Sequence, residues 1–264
     1  MARIRPAAAR LVAKVALGAV LAALAGCATP PTDPAALKDY EATNDPFEPV
    51  NRDIFEFNLY LDRYLLKPVA IGYTKVVPEF ARTTIRNFLH NLGEPVIFAN
   101  DMMQGEWGAA NATAARFLIN STFGVAGLVD FAGNTGIERQ TGDFGQTLYA
   151  WGFGEGPYLV LPILGPSNPR DAIGMGVDGA MDPYGYWVGG FYGQGAANAE
   201  TYGRMAASGI DLRARNIDTL DDLQRNAIDF YAEMRSLYRQ HRAEELRHGR
   251  PGPMPNLDVE GNSP

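Results

Sequence analysis

The sequence predicts a mostly α protein, on three observations. Apolar residues recur at helical spacing in several windows. Asx and proline residues stand ahead of those windows where helices would start. No window carries period-two alternation over several strands.

The elements follow in order. Arg3, Arg5, Arg10 and Lys14 precede an apolar run, Val15 to Leu24, which ends in Leu24-Ala25-Gly26-Cys27. Positive, apolar and small residues in that order predict a secretory signal over residues 1–26, and the run is too short to cross a bilayer of ~30 Å. The Leu-Ala-Gly-Cys ending resembles a bacterial lipobox. That implies lipidation of Cys27, with a diacylglycerol on sulfur and an N-acyl group on the new amine. Residues 27–44, rich in Pro, Ala, Thr and Asp, predict a lipidated flexible tether. Ordered chain is expected over 45–245, and a disordered tail over 246–264.

Within the ordered part, Asp45 suits an N-cap, Pro46 a first helical position and Glu48 the return arm of a capping box. The helix they start carries Asn51, Phe55, Asn58 and Leu59, and Pro68 is expected to end it near Leu66. Pro78-Glu79 starts another through Phe80, Ile85, Phe88 and Leu92, with separate helices predicted over 94–103 and 107–122. The glycine-punctuated stretch 123–145 reads as irregular, with one or two helical turns at 143–149. Gly152 to Pro162 reads as an apolar, hairpin-like loop. Asn168-Pro169 caps a helix through Ile173 and Val177, ending near Asp182. Residues 184–195 carry aromatics and glycine. A last helix is read from one stripe: Ile217, Leu220, Leu223, Ala227, Tyr231, Met234 and Tyr238.

Composition narrows the function. The chain has 23 basic and 30 acidic side chains. The signal holds 4 of the basic ones and no acid, so the remainder carries 19 against 30, a net charge of −11. A nucleic-acid binder should show a basic face and high pI, so that class is not expected. Cys27 is the only cysteine, which leaves none for disulfides. After the signal no apolar stretch is long enough for a transmembrane helix. The 29 glycines in 264 residues, about 11% against a usual ~7%, point to tight turns or close backbone contacts.

No catalytic set emerges. His90, His241 and His248 are scattered and lack zinc-ligand spacing. Gly165-Pro166-Ser167-Asn168-Pro169 lacks the last glycine of a nucleophile elbow, so Ser167 reads as capping context. Gly152, Gly154 and Gly156 lack the strand and helix of a nucleotide loop. They read better as a sharp bend exposing Phe153, Tyr158 and Leu161, or as a glycine turn packed on the core. No enzyme, metal or cofactor is expected.

The chain resembles the MlaA/VacJ lipoproteins. The resemblance rests on Asn44-Asp-Pro-Phe-Glu-Pro-Val-Asn-Arg52, Phe57-Asn58, Lys67-Pro68-Val69, Asn87-Phe88, Asn91-Leu92, Glu94-Pro95, Arg116 to Thr122, Asp143 to Leu148, Gly152-x-Gly154-x-Gly156-Pro157-Tyr158, Leu161-Pro162, Gly165-Pro166-Ser167 and Arg170-Asp171. It covers residues 44 to about 240. It implies a curved, single-domain helical body, ring- or doughnut-like, with an amphipathic central channel and glycine-rich loops. It implies an outer-membrane lipoprotein in the periplasmic leaflet that removes mislocalised phospholipid from the outer leaflet. The implied partners are phospholipid, a trimeric outer-membrane porin and a soluble, MlaC-like periplasmic carrier. Gly152, Phe153, Gly154, Gly156, Pro157 and Tyr158 then form a gating loop of the channel. Phe57 and Asn58 control access to it; their plainer reading is a packed Phe and a surface Asn. Ala28, which is not an inner-membrane retention aspartate, agrees with outer-membrane sorting. The last helix would brace the body on its periplasmic side or meet the carrier through Arg235 or Arg239.

Removing a two-chain lipid of ~16 carbons per chain into water costs on the order of 20 kcal/mol at ~0.8 kcal/mol per methylene. A passive protein therefore keeps the chains in hydrocarbon while wetting the head group. Two other readings stay open here. One is a structural envelope lipoprotein linking a porin to periplasmic partners without lipid transfer. The other is a lipid hydrolase, against which the missing triad speaks.

Overall fold

Proline and glycine set the helix boundaries of this chain, though not always where the spacing predicts. The computed structural model describes Asp33 and residues 43–247. The signal segment, Cys27, nearly all of the tether and the tail beyond Arg247 lie outside the described residues. From residue 43 onward, 43–64 with 155–169 form one compact unit, and 65–154 with 170–247 form a second.

The first unit pairs helix α1 (Glu48–Leu61) with a hairpin of β1 (Leu159–Leu161) and β2 (Gly165–Ser167). The strands are antiparallel, with Leu159 opposite Ser167 and Leu161 opposite Gly165, and α1 packs on β1. The expected cap at Asp45 is corrected. The helix begins at Glu48, and the Asp45 carboxylate accepts from Asn51 Nδ2 at 2.8 Å. Glu48 faces Arg52 one turn on, at 2.8 Å.

The expected stop before Pro68 is also corrected. α1 runs into a π-helical turn, Asp62–Leu66, and then α2 (Lys67–Val76). Pro68 falls in the first turn of α2, where its missing N–H leaves no bond unmade, and the wider π turn absorbs the change.

In the second unit, α3 (Glu79–Gln104) is one helix of 26 residues, not two parted near Gly93. Pro95 removes one helical bond, but contacts on both sides of it hold the helix together. Arg116 faces Glu94 at 3.6 Å on one side, and Thr113 donates to Asp101 at 2.7 Å on the other. Both partners lie on α4 (Trp107–Thr122), the helix most extensively packed on α3. Gly105 closes α3 in the left-handed conformation, φ +77°, as its position between the two helices predicts.

A short α5 (Phe131–Asn134) interrupts the irregular stretch. α6 (Phe144–Ala150) stands where the brief helical turns are expected, started by a capping box of Asp143 and Gln146. α7 (Pro169–Met181) also matches expectation.

The aromatic-glycine stretch is α8 (Pro183–Tyr192), capped by Asp182, which accepts from Tyr184 N at 3.0 Å. α9 (Gln194–Arg215), 22 residues long, carries no stripe that predicted it. α8 and α9 approach closely at Gly189, where a Cβ would stand 3.3 Å from that of Ala197. The single last helix is corrected to two, α10 (Ile217–Asn226) and α11 (Phe230–Leu246). Ala227 turns extended, ψ 132°, and Asp229 starts the second helix by accepting from Ala232 N at 3.1 Å. The predicted mostly α class stands: among the described residues the only sheet is the two-stranded hairpin.

Candidate functional site

Polarity is distributed against the usual rule for a water-soluble domain. Among the described residues, nineteen polar or charged side chains are buried against ten apolar ones. The largest fully buried side chains are Gln146, Glu94, Asn51 and Asn100. Meanwhile Val76 is 81% exposed, Phe80 76%, Phe123 71% and Phe191 71%. α8 buries none of its ten residues, although it carries Tyr186, Trp187, Phe191 and Tyr192. No described helix is long and apolar enough to cross a membrane. Exposed apolar area on this scale marks a surface made for lipid or protein.

In the first unit three asparagines hold the hairpin. Asn44 Nδ2 donates to Gly156 O at 2.6 Å, and Tyr158 N donates to Asn44 O at 2.8 Å. Asn51 Nδ2 donates to Tyr158 O at 3.0 Å, and its Oδ1 accepts from Val160 N at 2.9 Å. Asn58 Nδ2 donates to Leu161 O at 2.9 Å, and its Oδ1 accepts from Ile163 N at 2.7 Å. Each carboxamide donates through its NH2 and accepts through its oxygen, so Asn51 and Asn58 pair with the hairpin backbone as another backbone would; the second Asn51 N–H goes to Asp45. Their spacing is the reason it works. Seven helical residues rise about 10.5 Å, and three residues of chain from Val160 to Ile163 reach at most about 10 Å.

Beyond β1 the hairpin turns through Ile163, a β-branched residue at φ +69° that is 76% exposed. Such a conformation persists only where its surroundings enforce it. Asn58 supplies that constraint from α1.

The residues expected to gate a channel divide between the units. Gly152, Phe153 and Gly154 belong to the second, and Gly156, Pro157 and Tyr158 to the first. Gly152 (φ +90°) and Gly156 (φ +73°) are left-handed, and a Cβ at Gly156 would meet Pro169 at 3.1 Å. Gly154 faces open space. Phe153 is exposed, whereas Tyr158 is buried at 2%. Of the pair expected to control access, Phe57 is half exposed and Asn58 is bound to the hairpin. Both differ from the plainer reading of a packed Phe and a surface Asn.

The second unit is tied by charge. Arg242 donates to both oxygens of Asp143 (2.7 and 2.8 Å) and of Asp171 (both 2.9 Å), and Tyr238 donates to Asp171 at 2.8 Å. Burial raises the Asp171 pKa, but Arg242, Arg170 and Tyr238 outweigh it and hold the carboxyl below its usual range. Gly145 and Gly174 make room, since a Cβ at Gly174 would stand 2.5 Å from Gly145 N. Thr147 donates to Asn100 at 2.9 Å, and Asn100 to Asp178 at 2.7 Å. Burial raises the pKa of Glu94, against the opposing pull of Arg139 and Arg116. The apolar stripe stops at Tyr238 and gave no signal for Arg242, which lies one turn further along the same face of α11 and is buried there with Tyr231. Asn51 and Asn58 had one in their seven-residue spacing.

Among the described residues the serine and histidines singled out in the sequence stand apart from one another. Ser167 is fully buried and donates to Asn168 O at 3.3 Å. His90 is pushed down to about 4 by burial, with Arg139, Arg215 and Arg86 adding to it. His241 pairs with Glu245 on the surface at 3.3 Å. Among the described residues no group of His, Cys, Asp and Glu could hold a metal.

Comparison with known proteins agrees with this picture. The family model described as MlaA lipoprotein matches residues 43–245. The intermembrane phospholipid transport system lipoprotein MlaA of Haemophilus influenzae is 36% identical, covering 90% of this chain and 92% of its own length. The protein of that name from Escherichia coli K12 is 34% identical over 86% of this chain and 84% of its own. A solved structure reported as the structural basis for maintenance of bacterial outer membrane lipid asymmetry superposes with a TM-score of 0.67, at 34% identity, over 76% of this chain and 98% of the other.

Proposed function

The chain belongs to the MlaA lipoprotein family, and from that premise we propose that it withdraws phospholipid misplaced in the outer leaflet of the outer membrane and passes it toward the periplasm. The observation that carries this reading is the inverted polarity: apolar side chains outside, hydrogen-bonded polar and charged ones inside. A body of that kind is stable with its outer face in hydrocarbon, while a lipid head group needs polar groups along its path. The cost of moving a lipid head through an apolar layer falls where such groups replace water. Catalysis has no part in the proposal.

Its finer parts are these. Cys27 is acylated and retains the protein at the periplasmic leaflet. A trimeric porin is the membrane partner, and a soluble, MlaC-like periplasmic carrier accepts the lipid. The amphipathic channel implied by the family resemblance is gated by Gly152, Phe153, Gly154, Gly156, Pro157 and Tyr158, with Phe57 and Asn58 governing access. Two observations support this last part. Asn58 fixes the strained hairpin turn at Ile163, and Gly152 and Gly156 occupy conformations that other residues adopt only under strain.

Reconstitution tests the proposal. The acylated protein, placed in vesicles with labelled phospholipid and purified carrier, is expected to load the carrier without releasing fatty acid. Absence of transfer would leave a structural link as the function, and released fatty acid would identify a hydrolase.

A further inference from the structure

Tyr73 on α2 and Arg82 on α3 lie on either side of the Val77-Pro78 turn. Each holds a polar atom sealed from solvent and without a hydrogen-bond partner, the Tyr73 hydroxyl and Arg82 Nε. Buried donors are nearly always satisfied, and each exception calls for a cause. The carboxylate that acts on this corner, Asp211 of α9, is already taken. Arg86 donates to it at 2.7 and 3.1 Å and Arg215 at 3.1 Å. Elsewhere in the unit Arg116, Arg204, Arg213 and Arg242 each face a carboxylate within 3.1 Å; Arg82 does not.

The charged and titratable groups around Tyr73 are Arg82, Arg86 and Asp211, with Glu79, His90 and Arg215 acting on the latter two. His90 is neutral above about pH 4. Three arginines then stand against two carboxylates, a local positive excess in a chain of net charge −7. On the helical turns that flank Val77-Pro78, Val76 and Phe80 are 81% and 76% exposed. An oxyanion carried on an apolar molecule satisfies both features, since guanidinium and hydroxyl donors suit phosphate oxygens and the aliphatic and aromatic faces suit acyl chains.

We propose that Tyr73 and Arg82 form an oxyanion subsite that takes the phosphate group of a phospholipid, with Val76 and Phe80 along its acyl chains. This rests on the lipid-transport reading and deepens it by naming where the head group is held.

The test is equilibrium binding to the full-length protein in detergent, with three probes: dihexanoyl phosphatidylglycerol, dihexanoylglycerol and inorganic phosphate. Arg82→Gln is expected to weaken phosphatidylglycerol binding about tenfold and Tyr73→Phe severalfold, as loss of a charged and a neutral hydrogen bond implies. Dihexanoylglycerol, which lacks the phosphate, should bind all forms alike. Tyr73→Phe deletes only a hydroxyl with no protein partner, so it keeps the test valid should Arg82→Gln misfold. Phosphatidylglycerol binding that is equal in wild type and both variants overturns the subsite and leaves lipid transport standing. Binding of phosphate alone, lost in Arg82→Gln, keeps the oxyanion site and removes its lipid source. Wild type that binds neither phosphate nor phosphatidylglycerol overturns both.

Discussion

Asn58 does with one side chain what a neighbouring strand does with its backbone. Because its carboxamide holds Leu161 O and Ile163 N, Asn58→Ala should accelerate amide exchange at Ile163 by at least about fivefold, with helicity unchanged. Hydrogen-exchange mass spectrometry of the hairpin decides it, and an unchanged rate would mean the turn holds itself. Arg242 is a second such residue. Its removal strands the buried Asp171 and takes the bidentate partner from the part-exposed Asp143, so Arg242→Ala should cost about 3–5 kcal/mol in denaturant unfolding; a cost under 1 kcal/mol would show the network to be dispensable.

The pH dependence follows from two of these residues. Asp171 has a depressed folded pKa, so its stabilisation is present above the ordinary carboxylate range and is lost as pH falls through the lower folded value. His90 has its pKa lowered from 6.5 to about 4. The unfolded chain therefore binds more protons across that window, and stability declines as pH falls from 6.5 to 4. His90→Gln should flatten thermal stability over that window; an unaltered slope would place the titration elsewhere. At this scale the sequence names residues without their surroundings. Phe57 and Asn58 stand out in the motif, but no spacing says that the aromatic faces outward and the amide is bound.

At the scale of elements, α4, α6 and α7 were legible because caps, glycine stops and apolar periodicity agree there. The misses have physical causes. Pro95 and Pro68 signal helix ends locally, yet contacts flanking one and a π turn beside the other carry the chain through. α8 and α9 pack through small residues such as Gly189 and Ala197 and leave their large apolar ones outside, so they show no ordinary buried stripe. The stripe of the last helix ran unbroken across α10 and α11, because periodicity does not register the extended turn at Ala227. Two glycines separate the roles that glycine plays in these helices. Gly93 meets nothing within 4 Å, so Gly93→Ala should stabilise by about 0.5–1 kcal/mol through helix propensity. Gly174→Ala would drive a methyl into the Gly145 backbone and should lower the melting temperature. The reverse order of melting temperatures would refute the assigned packing between α6 and α7.

For the whole molecule, the acidic composition spoke against nucleic-acid binding, and the motif residues gave the family. The inverted polarity was not legible, because hydropathy along a chain does not say which side a residue faces. Residues that carried the resemblance, among them Asn51, Glu94, Arg116, Gln146, Thr147 and Asp171, turn out to form the buried polar interior. The motif therefore records the scaffold more than the lipid-facing surface. Trp107 and Trp187 are 63% and 60% exposed, and brominated lipids should quench both in vesicles.

The most direct measurement is the amount of phospholipid open to external phospholipase on cells with and without this protein. Loss of the chain should raise surface phospholipid, and re-expression of wild type, though not of Asn58→Ala, should restore the barrier. Equal surface phospholipid with and without the protein would contradict a role in lipid asymmetry.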